Sequence, residues 1–281
     1  MTIAVIGLGL IGGSICKALK KYTDYSCLGL NRSESVIKSA LADKSIDRAI
    51  DYNTLEGVED ADLTVICFYP DQIVEFAAKN IDKFKKGSIV IDAGGIKTDI
   101  CEKLQPIFKD TDVTFIGSHP MAGREYSGYA YSQAELFQNA SFIVTPYPDT
   151  PEDKIKIIED FARKIGFGKF VVTNPHEHDR IIAYTSQLAH IVSNAYVKSD
   201  TIKSRVGFSA GSFLDLTRVA KLNEDMWSTL MMSNRKFLAD ELGNIINKLS
   251  EYLTALKTGD EQYLHSLLKD GRIIKEDSEK K

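Results

Sequence analysis

Apolar positions along the chain follow two rhythms. In the first, short runs rich in β-branched residues alternate with stretches at helical spacing. Ile3 to Ile6, Tyr25 to Leu30, Leu63 to Phe68, Ser88 to Asp92 and Val113 to Ile116 read as strands, and Ile15 to Lys21, Ser33 to Asp43, Ile73 to Asn80 and Thr98 to Phe108 as helices. Ala140 to Thr145 and Gly168 to Thr173 add two strands on either side of a helix from Pro151 to Ile165. Strands that alternate with helices imply an α/β fold built on a doubly wound parallel sheet covered on both faces. The second rhythm begins beyond Pro175 and is helical throughout, over roughly 177–197, 213–221, 225–255 and 261–269. All seven prolines lie at or before position 175, and proline is costly inside a helix. The chain is therefore expected to divide into an α/β domain, 1–173, and an all-α domain, 174–281. The charged end beyond Lys269 is expected to fray.

Composition narrows the field. A length of 281 residues suggests about two domains. The 43% hydrophobic and 26% charged content is ordinary for a globular chain. Lys+Arg 35 against Asp+Glu 39 leaves a net charge of -4, which argues against a nucleic-acid partner. Cys16, Cys27, Cys67 and Cys101 form no CxxC pair, so neither a zinc knuckle nor a redox dithiol is indicated, and buried structural thiols are expected. No apolar run approaches the 18 or so residues of a membrane span. The N-terminus enters Thr2–Ile6 with no basic n-region, so a cytoplasmic protein without a membrane partner is expected.

Candidate chemistry begins at Gly7-Leu8-Gly9-Leu10-Ile11-Gly12, a GxGxxG set between the first strand and the first helix. In that place Gly7 permits the turn, Gly9 admits a pyrophosphate and Gly12 allows close packing, while Leu10 and Ile11 open the helix whose N-terminus faces the phosphates. The cofactor is thus NAD or NADP. An acid at the end of the second strand would favour NAD, but Asn31-Arg32-Ser33 offers none, which tips the reading toward NADP. Asn31 could bond a ribose hydroxyl, and Arg32 could hold a phosphate or simply be solvated. Tyr69 and Gly94, at two further strand ends, complete the expected cofactor-binding set. Ser118-His119-Pro120-Met121-Ala122-Gly123 follows the strand Val113–Ile116, which puts His119 in a loop at the carboxyl edge of the sheet, where ligands bind. Ser186 and His190 are four apart on one helix face. His176-Glu177-His178-Asp179 looks superficially like a metal site; as the start of a helix it is read instead as a cap, with no metal. Arg218 could be a surface ion-pair partner or an anchor for a substrate carboxylate.

Taken together, the glycine turn, His119-Pro120-Met121-Ala122-Gly123, Gln187-Leu188-Ala189-His190 and Asp215-Leu216-Thr217-Arg218-Val219-Ala220 resemble the prephenate dehydrogenase family, which includes arogenate dehydrogenases, over nearly the whole chain. The resemblance implies a Rossmann domain, a helical domain that forms a homodimer, and an active site in the cleft between them. It implies oxidative decarboxylation of prephenate to 4-hydroxyphenylpyruvate in tyrosine biosynthesis, with arogenate dehydrogenase as the alternative. By the same resemblance His119 meets the 4-hydroxyl of the substrate and is catalytic, with Ser118 beside it binding substrate. His190 and Arg218 take the carboxylates, Gly211, Met226 and Trp227 line the pocket, and Glu125 gates it. Gly95 stands where several members carry Ser, and Gln187 where some carry a second His. A binding protein that kept the fold and lost the chemistry is the competing class.

Overall fold

The structure is a computed structural model that describes residues 1–124 and 126–280. Its first part runs β1 (Thr2–Ile6), α1 (Leu10–Tyr22), β2 (Ser26–Leu30), α2 (Glu34–Ala42), β3 (Arg48–Ala49), β4 (Leu63–Ile66), α3 (Pro70–Lys79), β5 (Ile89–Asp92), α4 (Thr98–Phe108), β6 (Thr114–Pro120), β7 (Ser141–Thr145), α5 (Glu152–Lys164) and β8 (Lys169–Val172). The strands form one sheet in the order β3-β2-β1-β4-β5-β6-β7-β8, parallel except where β6 meets β7. Successive side chains of a strand point to opposite faces. Ile3 and Val5 accordingly enter a core with Ile15, Leu19 and Phe161, while Ala4 and Ile6 enter a second core with Ile73, Ile100 and Leu104. Because both faces are covered, the strands read as continuous apolar runs rather than alternating ones.

Two features differ from the sequence reading in ways that matter for the site. The fifth long strand does not stop at Ile116. β6 pairs with β5 as far as Ile91↔Ile116, then turns to β7 and continues antiparallel from Gly117↔Thr145 to Pro120↔Phe142. His119 therefore sits on a strand rather than in a loop. β3, only two residues long, is too short to register as a run of apolar positions.

The remainder is helical: α6 (Pro175–Ile182), a π-helical turn over Ala183–Leu188, α7 (Ala189–Tyr196), α8 (Gly211–Thr217), α9 (Glu224–Ser233), α10 (Arg235–Thr258) and α11 (Glu261–Glu279). The helix expected over 225–255 is divided at Asn234, which is buried and gives its amide to the carbonyl of Asp179 and to Gln187 Oε1, at 2.9 and 2.8 Å. Nor does the end fray at Lys269. α11 continues to Glu279, with Arg272–Glu276 and Lys275–Glu279 ion pairs one turn apart. The cysteines are all free thiols; Cys16, Cys27 and Cys101 are buried and Cys67 is half-buried.

Candidate active site

The crevice lies at the carboxyl ends of the strands, where the order reverses on either side of β1 and ligands of open α/β sheets bind. Gly7 there has φ +98°, and its N–H bonds the carbonyl of Leu30 at 2.8 Å. A side chain at Gly12 would come within 2.0 Å of the Gly7 carbonyl oxygen, so α1 can only pack this closely with glycine. Above Gly9, by contrast, a Cβ would meet nothing within 4 Å. α1 begins at Leu10 with no side-chain cap and no acid in its first turn. Unpaired N–H groups, open space and a favourable dipole together fit a diphosphate. Asn31 Oδ1 accepts the Leu8 N–H at 3.1 Å, so one end of its amide ties β2 to the glycine turn and the other remains for a ligand. Arg32 and Ser33 are exposed, with Ser33 Oγ 2.8 Å from Ser35 Oγ. Tyr69 precedes α3 and is exposed, and Gly94 is buried at the end of β5.

Beside the crevice lies a chain of polar contacts that sequence spacing does not reveal. His119 Nδ1 is 2.9 Å from His178 Nε2, and His178 Nδ1 is 2.7 Å from Asp179 Oδ1. Asp179 also accepts the backbone N–H groups of Lys97 and Thr98, each at 2.8 Å. Burial works against its charge, but the bonds from His178, Thr98 and Lys97 outweigh it and hold the carboxyl below the usual carboxylate range. An ionised carboxylate only accepts, which places a proton on His178 Nδ1 and leaves Nε2 as an acceptor. His119 in turn donates from Nδ1 and presents the Nε2 lone pair. Burial, the neighbouring His178 and the Lys97 ammonium push the His119 imidazole well below the ordinary histidine value. Burial likewise lowers His178, with Lys97 adding to it, against the pull of Asp179.

Two sequence expectations change here. His178 and Asp179 do not cap their helix; Asn174 does, accepting the Glu177 N–H at 2.9 Å, and Glu177 pairs with Arg180. Ser118, expected to touch substrate, has no exposed surface. Its N–H bonds Asp92 Oδ1 at 2.9 Å and its hydroxyl bonds the Asp92 carbonyl. It anchors the strand that carries His119.

The helical part closes the other side. On α7, His190 Nδ1 is 2.9 Å from the Ser186 carbonyl, and the ring stacks on Trp227 of α9 at 4.0 Å. Met226 is the neighbour of Trp227 on α9, half-buried. Gly211 opens α8 and Arg218 follows it, both exposed. That segment is tied to α7 by Ser193 Oγ on the Leu216 carbonyl (2.7 Å) and Asn194 Nδ2 on the Ala220 carbonyl (3.1 Å), which brings Arg218 to the element that carries His190. Gln187 is buried and bonds Leu230 and Asn234, a structural place. A Cβ at Gly95 would sit 3.6 Å from Leu230 Cδ2, so α9 meets the sheet edge here. Glu125 lies outside the described residues. Among the described residues, no group of three or more His, Cys, Asp or Glu could hold a metal.

The sequence matches a family model described as the nucleotide-binding domain of prephenate dehydrogenase over residues 15–172, and one described as its dimerization domain over 174–270. It is 34% identical to a cyclohexadienyl dehydrogenase of Zymomonas mobilis, over 96% of this chain and 93% of that protein. The fold is similar to the crystal structure of Synechocystis arogenate dehydrogenase (TM-score 0.83, 26% identity, 99% of this chain and 100% of that one). It is also similar to prephenate dehydrogenase from A. aeolicus in complex with hydroxyphenyl propionate and NAD+ (TM-score 0.84, 23% identity, 99% and 98%).

Proposed function

The chain belongs to the prephenate dehydrogenase family, and from that premise we propose how its residues act. It is an NAD(P)-dependent oxidoreductase that converts prephenate to 4-hydroxyphenylpyruvate with loss of the ring carboxylate as carbon dioxide. The observation that carries our reading of the site is the Asp179–His178–His119 chain, which leaves one lone pair, on His119 Nε2, free to take a proton. Bound NAD(P) supplies the hydride acceptor. The chain's own residues supply the rest. As C4 of the ring gains carbonyl character its hydroxyl becomes acidic, and His119 accepts that proton as general base. A positioned base contributes about 10²–10⁴-fold. The low proton affinity of His119 keeps it unprotonated at neutral pH, and the tautomer imposed by His178 keeps Nε2 rather than Nδ1 toward the substrate.

Prephenate is a dianion and the chain itself carries a net charge of -4, so binding needs local cations. Arg218 takes one carboxylate, bidentately. His190 takes the other. Its Nδ1–H is committed to the Ser186 carbonyl and its ring is held against the face of Trp227, which fixes the direction of Nε2. Gly211 and Met226 complete the pocket wall. Gly7, Gly9, Leu10, Ile11 and Gly12 hold the diphosphate, with Tyr69 and Gly94 on the nicotinamide side. The acid-free Asn31-Arg32-Ser33 corner supports NADP over NAD.

Ile246, Leu249, Leu253 and Leu256, spaced at helical intervals on α10, are exposed. Such a stripe supports a homodimer through this helix. Among the described residues no helix is long and apolar enough to cross a membrane, and a cytoplasmic location completes the proposal. The test is a spectrophotometric assay of reduced nicotinamide with prephenate and arogenate, each with NAD+ and NADP+. Turnover of prephenate, faster with NADP+, is expected. Arogenate as the only substrate would replace the substrate assignment, and silence in all four combinations would overturn the enzyme.

A further inference from the structure

Among the described residues, Lys97 is the one lysine or arginine that is buried, and its ammonium meets Asp92, which is equally enclosed. Lysine is almost never fully buried unless paired, and a buried ion pair is no gain in stability over apolar side chains of similar size. The pair therefore calls for another reason, and its connections supply one. Asp92 closes β5, where the ladder to β6 has just ended at Ile91↔Ile116. Its carboxylate replaces the missing strand: Oδ1 accepts the Ser118 N–H at 2.9 Å, and Oδ2 accepts the Gly94 N–H at 2.8 Å together with the Lys97 ammonium. His119 is the next residue on that strand. The backbone N–H of Lys97 meanwhile bonds Asp179, beside His178 on α6. Lys97 thus reaches both elements that carry the paired histidines, through its side chain on one side and its backbone on the other.

We propose that Lys97 is a positioning residue for His119. Through Asp92 its ammonium fixes the end of β6 that bears the imidazole, and its charge opposes a positive charge on the His119–His178 pair. The inference rests on the reading of His119 as base. The titratable and charged groups that face this cluster are Asp92 from β5, Lys97 from the segment after it, Cys101 from α4 and Asp179 from α6. After burial, Lys97 is a charge that lowers the proton affinity of both histidines.

The test compares the wild-type enzyme with Lys97→Met and with the double variant Asp92→Asn/Lys97→Met. The double variant leaves no unpaired charge and is expected to fold. Thermal unfolding, cofactor binding by fluorescence, and kcat and KM for prephenate across pH are measured for each. In the double variant kcat should fall about tenfold or more while KM changes far less, as for a misplaced catalytic group. The acid limb of kcat/KM should move to higher pH. Lys97→Met alone leaves Asp92 buried and unpaired; it should be less stable and, once folded, show the limb displaced further. A folded double variant with wild-type kcat and an unmoved limb would make Lys97 a mere counter-ion and overturn the proposal, as would a loss confined to melting temperature. Wild-type enzyme that does not turn over prephenate would instead refute the substrate reading on which this rests.

Discussion

The two parts of the molecule bury their apolar side chains very differently. In the sheet, two cores lie on opposite faces, and aromatic residues such as Phe142 and Phe161 pack edge to face at 6.3 Å with no exposed surface to speak of. In the helical part the buried cluster is small, Ala183, Leu188 and Leu238 with partly covered neighbours, while Leu249, Leu253 and Leu256 face outward. The sheet completes its core by itself, whereas the helices leave apolar side chains exposed. The proposed site straddles that contrast, with His119 on the sheet and His178, His190 and Arg218 on the helical part.

The largest loss of stability is expected in the sheet. Phe161→Ala should cost about 3–5 kcal/mol, the range for a large buried aromatic, measured by denaturant unfolding. A loss below about 1 kcal/mol would mean that this core can collapse around a cavity.

Next comes the seam itself. His119→Asn should lower kcat about a hundredfold or more with little change in KM, and near-normal turnover would remove His119 from the chemistry. In the native enzyme the same depressed proton affinity gives the pH dependence its sign. With unprotonated His119 as the proposed active form, the acid limb of kcat/KM should fall below the ordinary histidine value of about 6.5. Stability follows the same direction. The unfolded chain takes up protons on these histidines below about pH 6.5 while the folded chain resists, so stability is intact above that pH and declines as the pH drops. An acid limb above the ordinary value would assign the base to another group.

On the helical side, Leu249→Glu with Leu253→Glu should leave the unfolding transition of the sheet in place while shifting sedimentation from dimer to monomer. A dimer that survives the double change would locate the interface elsewhere. The smallest effect is expected at Gly95→Ser. The new Cβ would meet only Leu230, at ordinary contact distance, so stability should change by less than about 0.5 kcal/mol. A larger loss would show that the edge of the sheet and α9 are packed too tightly for a side chain there.

Much of the fold was legible because its signals are local. The apolar run of β1, the glycine turn and the start of α1 announce a dinucleotide fold within a dozen or so residues. The site was less so. Flanking Ser, Pro and Gly suggest a loop at His119; antiparallel pairing to β7, set by Phe142 and Ile143 more than twenty positions later, makes it strand. Glu177 and Asp179 suit a helix cap locally and draw His178 into that reading, while the partner of His178 lies 59 positions away. Lys97 carried no signal, since nothing in Gly95-Ile96-Lys97-Thr98 announces that its side chain turns inward.

The alternation of strands and helices, the glycine turn at the head of α1 and the helical character after Pro175 follow from local sequence, because torsional preference and apolar periodicity act over a few residues. Tertiary packing sets which nitrogen of His119 bonds His178, buries Ser118 against Asp92, and encloses the Lys97 ammonium. Those outcomes depend on hydrogen bonds between groups 26, 59 and 82 positions apart, whose geometry exists only once the sheet and the helices have packed together.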